Sequence, residues 1–327
     1  MSDQIRNIIK KGMGKVATFS FYINLGRKCS NLKIKRDIAL LLSPIGTISL
    51  LFNNNNFIPK YKLSVVLIIK NEVPYIEEWI EYYKLLGFDR MYIYDNDSND
   101  NPYNKIKKYI QTGLVKYTKI SGRARQLDAY NDALKIAKKE SKYLAIMDTD
   151  EFLFPVSNKD VYSIIDKYIS SNPHIGGVGI NWLIFGSGGQ TNKTPGLVTQ
   201  RFYYRSNFNF IKNQHVKTIC DPRKVAGILN PHIVQYNYGC YAIDSSYKRL
   251  DKPFTKYNPN APLRINHYFT KSKSEFIKKK DRGEADSLNM RTMEDFKLHD
   301  RNEVFDDSMK RYKDKLEELV EKRKSEI

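Results

Sequence analysis

Two aspartates separated by one residue, Asp148 and Asp150, follow directly on the apolar run Tyr143-Leu-Ala-Ile-Met147. A chain that leaves a buried strand at this point aims both carboxylates outward at one hard cation. Mg²⁺ and Mn²⁺ take one or two carboxylates and fill the rest of the shell with phosphate oxygens and water, so a nucleotide diphosphate completes such a site. Positive charge there stabilises the diphosphate as it leaves. An acidic turn with no function has the same spelling, and position separates the two readings. The pair stands at the end of the fourth in a series of apolar runs. Two more polar clusters close earlier runs: Lys70-Asn71-Glu72 after residues 63–69, and Asp95 to Asp100 after residues 90–94.

The elements that must position these groups alternate from Lys62 onward, and that alternation is the signature of a three-layer α/β domain with a mostly parallel sheet. Residues 63–69 form a continuous apolar run of the kind a strand covered on both faces needs. Residues 75–86 place Ile76, Trp79, Ile80, Tyr83 and Leu86 at helical spacing, closed by Gly87. A strand at 90–94, a short helix from Pro102, a strand at 114–120, a helix from about Arg123 to Lys139 and the strand at 143–147 complete the series. In such sheets ligands bind at the carboxyl ends of the strands, so the clusters at 70–72, 95–100 and 148–151 are expected to converge. Beyond Phe152 the pattern is less regular. Residues 176–182, 197–204, 216–220 and 264–269 read as strands of a mixed or antiparallel region carrying acceptor contacts. Residues 272–280 read as a charged helix, and 314–324 as a solvated, salt-bridged tail.

A chain of 327 residues, 41% of them apolar, can bury a full α/β core and still carry appendages. Three units are expected: a basic helical extension at 1–60, a catalytic domain at 61–290 and a charged helical extension at 291–327. The balance of 55 Lys and Arg against 36 Asp and Glu gives +19, which draws the protein to anions: nucleotide phosphates, a membrane surface or nucleic acid. Before Asp37 the single acid Asp3 stands against nine Lys and Arg. The apolar run that follows, broken at Pro44 and Gly46, falls short of the ~20 residues a spanning helix needs. It suits a helix packed on the core or an interfacial contact with an anionic membrane. Three scattered cysteines, with no signal peptide legible at the start, suit the cytoplasm, with peripheral contact at the inner face of the plasma membrane.

Taken in order, Leu67-Ile-Ile-Lys-Asn-Glu72, Ile76-x-x-Trp79, Tyr92-Ile-Tyr-Asp-Asn-Asp-Ser98 and Met147-Asp-Thr-Asp-Glu-Phe152 resemble the GT-A glycosyltransferases. The set is most similar to glycosyltransferase family 92 and related bacterial enzymes near family 2. The likeness continues through Asn181-Trp182, Phe185-Gly186, Ile265-Asn-His-Tyr268 and Arg282-Gly283-x-Ala285-Asp286, covering residues 63–307. It implies a GT-A, Rossmann-like sandwich and transfer of a sugar from a nucleotide donor, usually a uridine diphosphate (UDP) sugar, with Mn²⁺ or Mg²⁺ and inversion at the anomeric carbon. It further implies that Asp148 contacts ribose or metal-bound water, that Asp150 ligates the metal directly, and that His267 supplies a late third ligand. A lone histidine in a strand is also a common structural residue.

Asp95 resembles the residue that reads uracil or ribose, although turn chemistry explains its neighbours Asn96, Asp97 and Asn99. Lys70 and Asn71 suit contact with base or diphosphate, and Glu72 suits a cap on the next helix. Arg123 and Gln126, near a helix N-terminus, suit donor contact. For the general base that inverting transfer needs, the candidates are Asp286, Glu284, Asp244 and Glu151. Trp182 and Phe185 suit either stacking on a sugar or ordinary burial, and Gly186-Ser-Gly-Gly189 suits a closing loop. The expected acceptor is a glycan or lipid-linked precursor of a bacterial surface polysaccharide or lipopolysaccharide. The competing readings are a sugar-phosphate nucleotidyltransferase, which should carry a glycine-rich loop where Lys70-Asn71-Glu72 stands, and a basic membrane- or nucleic-acid-binding module. Nucleic acid fits poorly, because no basic and aromatic residues interleave.

Overall fold

Residues 63–69 of the first strand are all buried, and successive side chains enter opposite faces of the sheet, an alternation that builds the layers. In β1 (Tyr61–Ile69), Leu63, Val65, Leu67 and Ile69 join one apolar cluster with Ile76, Trp79 and Ile80 of helix α1 (Val73–Leu85). Val66 and Ile68 join a second cluster on the opposite face. The same division runs through β2 (Arg90–Asp95), where Met91 and Ile93 face the first cluster and Tyr92 and Tyr94 the second. The first face is also covered by α2 (Pro102–Gln111), and the second by α3 (Gln126–Glu140) through Ala129, Tyr130, Ala133 and Leu134. A period of two in a doubly covered strand sends successive side chains to opposite layers, so continuous apolar runs are what such a sheet requires.

A computed structural model describes residues 57–237, 240–281 and 291–325. The expected extension at 1–60 therefore lies outside the described residues up to position 56, as do Glu284 and Asp286. Strands β1, β2, β3 (Val115–Lys119) and β4 (Ser141–Ile146) are parallel, in spatial order β3-β2-β1-β4. After β4 the chain forms β5 (Glu151–Pro155), α4 (Val161–Ser170), β6 (Ile175–Ile184), the short helix α5 (Val198–Arg201) and β7 (Tyr204–Arg205). Then come β8 (Val216–Cys220), the small β9 (Val225–Gly227) and β10 (Gln235–Tyr236), β11 (Tyr241–Asp244), β12 (Arg249–Leu250) and β13 (Leu263–His267). Strand β8 is antiparallel between β4 and β6, so the sheet continues as β4-β8-β6-β11-β12. Strand β13 pairs parallel with β6 and antiparallel with β5. The chain ends in α6 (Lys273–Asp281), α7 (Met293–His299), β14 (Val304–Phe305) and α8 (Lys313–Ser325). Among the described residues no helix is long and apolar enough to cross a membrane.

The α/β class and the mostly parallel sheet are as expected, and three local readings are corrected. Residues 197–204 are not a strand. Val198 N, Thr199 N and Thr199 Oγ1 donate to the buried carboxylate of Glu78 at 2.7, 2.9 and 2.8 Å, and these bonds satisfy the first free N–H groups of α5. Helix α3 starts at Gln126 rather than Arg123, because Gly122 and Ala124 adopt positive φ of 104° and 52° and break the helix before it. The carboxyl-terminal helix is not a solvated tail, since Leu316 and Val320 are buried in the core cluster that contains α1.

Candidate active site

The turn between β4 and β5 carries the two aspartates, closed by Glu151 N donating to Asp148 O at 3.1 Å and anchored by Trp79 Nε1 donating to the same carbonyl at 3.0 Å. Strand β8 runs beside β4 and brings Lys217 to the turn. Lys217 is fully buried, with Nζ 2.7 Å from Asp148 Oδ2 and 3.4 Å from Glu151 Oε2. Asp148 Oδ1 accepts from Tyr130 OH at 3.0 Å and from Gln126 Nε2 at 3.3 Å. Burial pushes the Asp148 carboxyl up, but the charge of Lys217 outweighs it and holds the group below its ordinary value.

Asp150 is brought to its partners by the pairing of β5 with β13, which sets His267 opposite Glu151, and by Tyr268 N donating to Asp150 O at 2.8 Å. His267 Nε2 lies 3.5 Å from Asp150 Oδ1. Helix α6 places Lys279 Nζ 2.5 Å from Asp150 Oδ2. Burial opposes ionisation of Asp150, yet Lys279 and His267 together hold it well below the usual carboxylate range. Burial keeps His267 neutral by lowering its pKa. Its ring lies 4.3 Å from that of Trp182, and its Nδ1 is buried with no hydrogen-bond partner among the described residues.

An ionised carboxylate is a donor of the right kind for Mn²⁺ or Mg²⁺, and a neutral imidazole beside it favours Mn²⁺ over the harder Mg²⁺. Asp150 and His267 would hold the ion directly. Asp148 would act from behind, with Oδ2 taken by Lys217 and Oδ1 by Tyr130 and Gln126. Among the described residues no three His, Cys, Asp or Glu side chains are grouped to hold a metal by themselves.

The other sequence candidates are distributed around this turn. Asn71, at the end of β1 with φ of 55°, accepts from Asn99 N at 2.8 Å through Oδ1 and lines a cavity of 370 Å³. Lys271, Lys278 and Lys279 line the same cavity. Lys70 is half-buried beside Asn71. The Asp95 carboxylate is engaged by its own turn and by β3, accepting from Ser98 N at 3.0 Å and from Tyr117 OH at 2.5 Å. Gln126 reaches Asp148, whereas Arg123 is exposed in the loop before α3. Asp244 accepts from Ser246 N, Lys248 N and Thr255 Oγ1 and so holds a turn beyond β11. Phe185 is packed against Tyr268 in the core, while Trp182 borders His267. The loop after Gly186 is tied to the carboxyl-terminal segment by Ser187 N and Gly188 N, which donate to Asp300 and Asn302 at 2.6 and 2.7 Å. A Cβ on Gly186 would come within 2.4 Å of Arg301 O, so the approach needs glycine.

Glu151 lies beneath the turn with no exposed surface, and Oε2 accepts from Asp148 N at 2.9 Å. That placement suits a group that shapes the turn rather than one that reaches an acceptor hydroxyl. Burial, with the charges of Asp148 and Asp150 added, outweighs Lys217 and pushes its carboxyl up to about 8. A folded pKa above the unfolded one makes a stability contribution that is complete below about 4.3 and is lost as pH rises toward about 8. Glu151→Gln should therefore flatten the decline in melting temperature across that window. A decline as steep as that of the wild type would show that another group causes it.

Sequence reasoning missed Lys217 and Lys279. A lone charge inside Val216-Lys-Thr-Ile-Cys220 was the legible trace of the first, and no local feature marked the second.

A layered α/β sheet with an acidic turn at the carboxyl end of β4, tied through Lys279 to a cavity lined by three lysines, is the arrangement of a GT-A type glycosyltransferase. The chain belongs to glycosyltransferase family 92, whose model matches residues 68–305. It is 26% identical over 137 residues to a family 92 protein of Oryza sativa subsp. japonica, covering 40% of this chain and 22% of that one. A family 92 protein of Arabidopsis thaliana is 28% identical over 120 residues, covering 34% and 21%. The matched region thus spans about a fifth of the length of these curated relatives. Among solved structures, S. aureus TarS 1–349 is similar with a TM-score of 0.35 and 20% identity, over 49% of this chain and 47% of that one. Glucosyl-3-phosphoglycerate synthase from Mycobacterium tuberculosis, in complex with Mn²⁺, UDP-glucose and phosphoglyceric acid, is similar with a TM-score of 0.28 and 15% identity. That match covers 50% of this chain and 58% of the synthase.

Proposed function

We propose that this glycosyltransferase moves a sugar from a nucleotide diphosphate donor, a UDP-sugar by preference, to a hydroxyl of a glycan or lipid-linked acceptor, with inversion and with a divalent cation. The observation that carries this reading is the approach of His267, at the end of β13, to Asp150 in the turn after β4, with Nε2 3.5 Å from Oδ1. A cation held there supplies charge to the departing diphosphate. Asn71, Lys70 and Asp95 stand at the ends of the first two strands, where a nucleotide is bound in sheets of this type. Gln126 and Tyr130 orient Asp148, and Arg123, exposed in the loop before α3, is assigned to the phosphates of the donor. Asp286 and Glu284 are the proposed general bases, and Glu151 is assigned to shaping the turn. The basic first sixty residues are proposed to hold the enzyme at an anionic membrane surface on the cytoplasmic side.

Slow hydrolysis of a panel of nucleotide sugars, with and without Mn²⁺, tests the reading. One UDP-sugar should be consumed ahead of the others and should be spared when the cation is chelated. Equal inertness of all donors, or consumption of nucleoside triphosphate with a sugar phosphate, would replace transfer with the nucleotidyltransferase reading.

A further inference from the structure

Both oxygens of Asp150 are engaged by side chains of the protein: Oδ1 faces His267, and Oδ2 accepts from Lys279 Nζ at 2.5 Å. The ammonium is itself well seated. It donates to Phe269 O at 2.9 Å, lies 3.9 Å from the centre of the Phe269 ring, and its side chain is only 9% exposed. Charge balance gives this seat a consequence. Asp148 and Asp150 contribute two negative charges, and Lys217 and Lys279 contribute two positive ones at 2.7 and 2.5 Å. A free divalent ion therefore meets two aspartates each already matched by a lysine, where the same aspartates without lysines would present two negative charges.

We infer that Lys279 is a tethered cation that holds Asp150 until the donor arrives, so that the divalent ion enters only together with a diphosphate, to which the lysine transfers. This rests on the cation reading given above. Lys279 lines the cavity with Lys271 and Lys278, and of the two acids there Glu275 is paired with Arg201 and Asp100 accepts from Val73 N, so a diphosphate entering offers the ammonium a new anionic partner as Asp150 is released to the metal. One charge-assisted contact is exchanged for another, and the buried lysine is never left unpaired. Lys279 is thus a positioning residue for the metal rather than a ligand of it.

Calorimetric titration with Mn²⁺, in the presence and absence of UDP, reads this without any turnover. Wild-type protein should bind Mn²⁺ far more tightly with UDP than without it. Lys279→Met should bind Mn²⁺ alone roughly ten- to hundredfold more tightly than wild type, because the competing charge is gone. Lys279→Arg, which keeps the charge, should stay close to wild type. Equal Mn²⁺ affinity of wild type and Lys279→Met, both shown folded by their melting curves, would overturn the inference while leaving the cation reading intact. If Lys279→Met does not fold, the wild-type pair of titrations decides, and equal Mn²⁺ affinity with and without UDP overturns the inference. Failure of wild type to bind Mn²⁺ even with UDP would instead remove the cation reading.

Discussion

Asp150→Asn should lower the rate of donor turnover by about 10²–10³-fold and abolish Mn²⁺-dependent donor binding, while the protein remains folded. The substitution keeps the shape of the side chain and one acceptor oxygen, so Lys279 retains a neutral partner at Asp150 together with Phe269 O. What disappears is the negative charge a metal ligand needs. Asp150→Ala is the poorer test, because it would leave the buried ammonium of Lys279 with a single hydrogen-bond acceptor. Asp148→Asn should act more mildly on metal affinity. Its oxygens are used by Lys217, Tyr130 and Gln126, and its loss is felt mainly through the geometry of the turn. Calorimetry with a UDP-sugar and Mn²⁺, run beside donor hydrolysis, separates the two variants. Undiminished metal-dependent affinity in Asp150→Asn would move the metal site elsewhere.

Arg201→Met should destabilise the protein by about 3–5 kcal/mol, the largest stability effect expected of any single change described for this chain. Arg201 and Glu275 form a two-pronged pair at 2.9 and 2.7 Å, with side chains 4% and 2% exposed. Glu275 also accepts from Tyr75 OH at 2.9 Å and from Ser272 Oγ at 2.6 Å, so the pair joins α5, α1 and the start of α6. Methionine would fill much of the volume of the arginine stem and leave the carboxylate buried without its counter-charge.

The pair also has a pH signature. Burial acts to raise the Glu275 carboxyl, but its bonds to Arg201 and Ser272 overcome burial and bring it down to about 2. A depressed folded pKa stabilises the protein above the unfolded value of about 4.3, and that stability is lost as pH falls toward about 2. Urea unfolding at neutral pH and at pH values inside that window should show the difference between wild type and Arg201→Met shrinking with acid. A loss of less than about 1 kcal/mol at neutral pH would place the pair among contacts that contribute little.

Much of the first half of the molecule was legible. The runs at 63–69, 90–94 and 143–147 coincide closely with β1, β2 and β4, and Gly87 takes the positive φ of 87° expected after α1. The region after Phe152 was harder. Strand β8 was found at its bounds, but β5 begins one residue after Asp150 and was read only as the tail of the acidic motif. Residues 197–204 carry apolar and β-branched side chains suited to a strand, yet Glu78, 120 positions earlier, captures their N–H groups and turns Val198 to Arg201 into a helix. Propensity is weak enough to yield to one buried carboxylate.

The sequence by itself determined the order of strands and helices up to β4, the layers they build and the three polar clusters at the strand ends. These follow from spacing along the chain: a period of two sends side chains to two faces, and a parallel sheet gathers its carboxyl ends on one edge. Only the tertiary structure decided which charges meet. Lys217 and Asp148 are 69 positions apart, Arg201 and Glu275 are 74 apart, and Lys279 and Asp150 are 129 apart. Nothing in local spacing selects these partners from the other lysines, arginines and acids of the chain. An ion pair is chosen by distance and burial in the folded state, where removal from water makes an unmatched charge costly and a matched one specific.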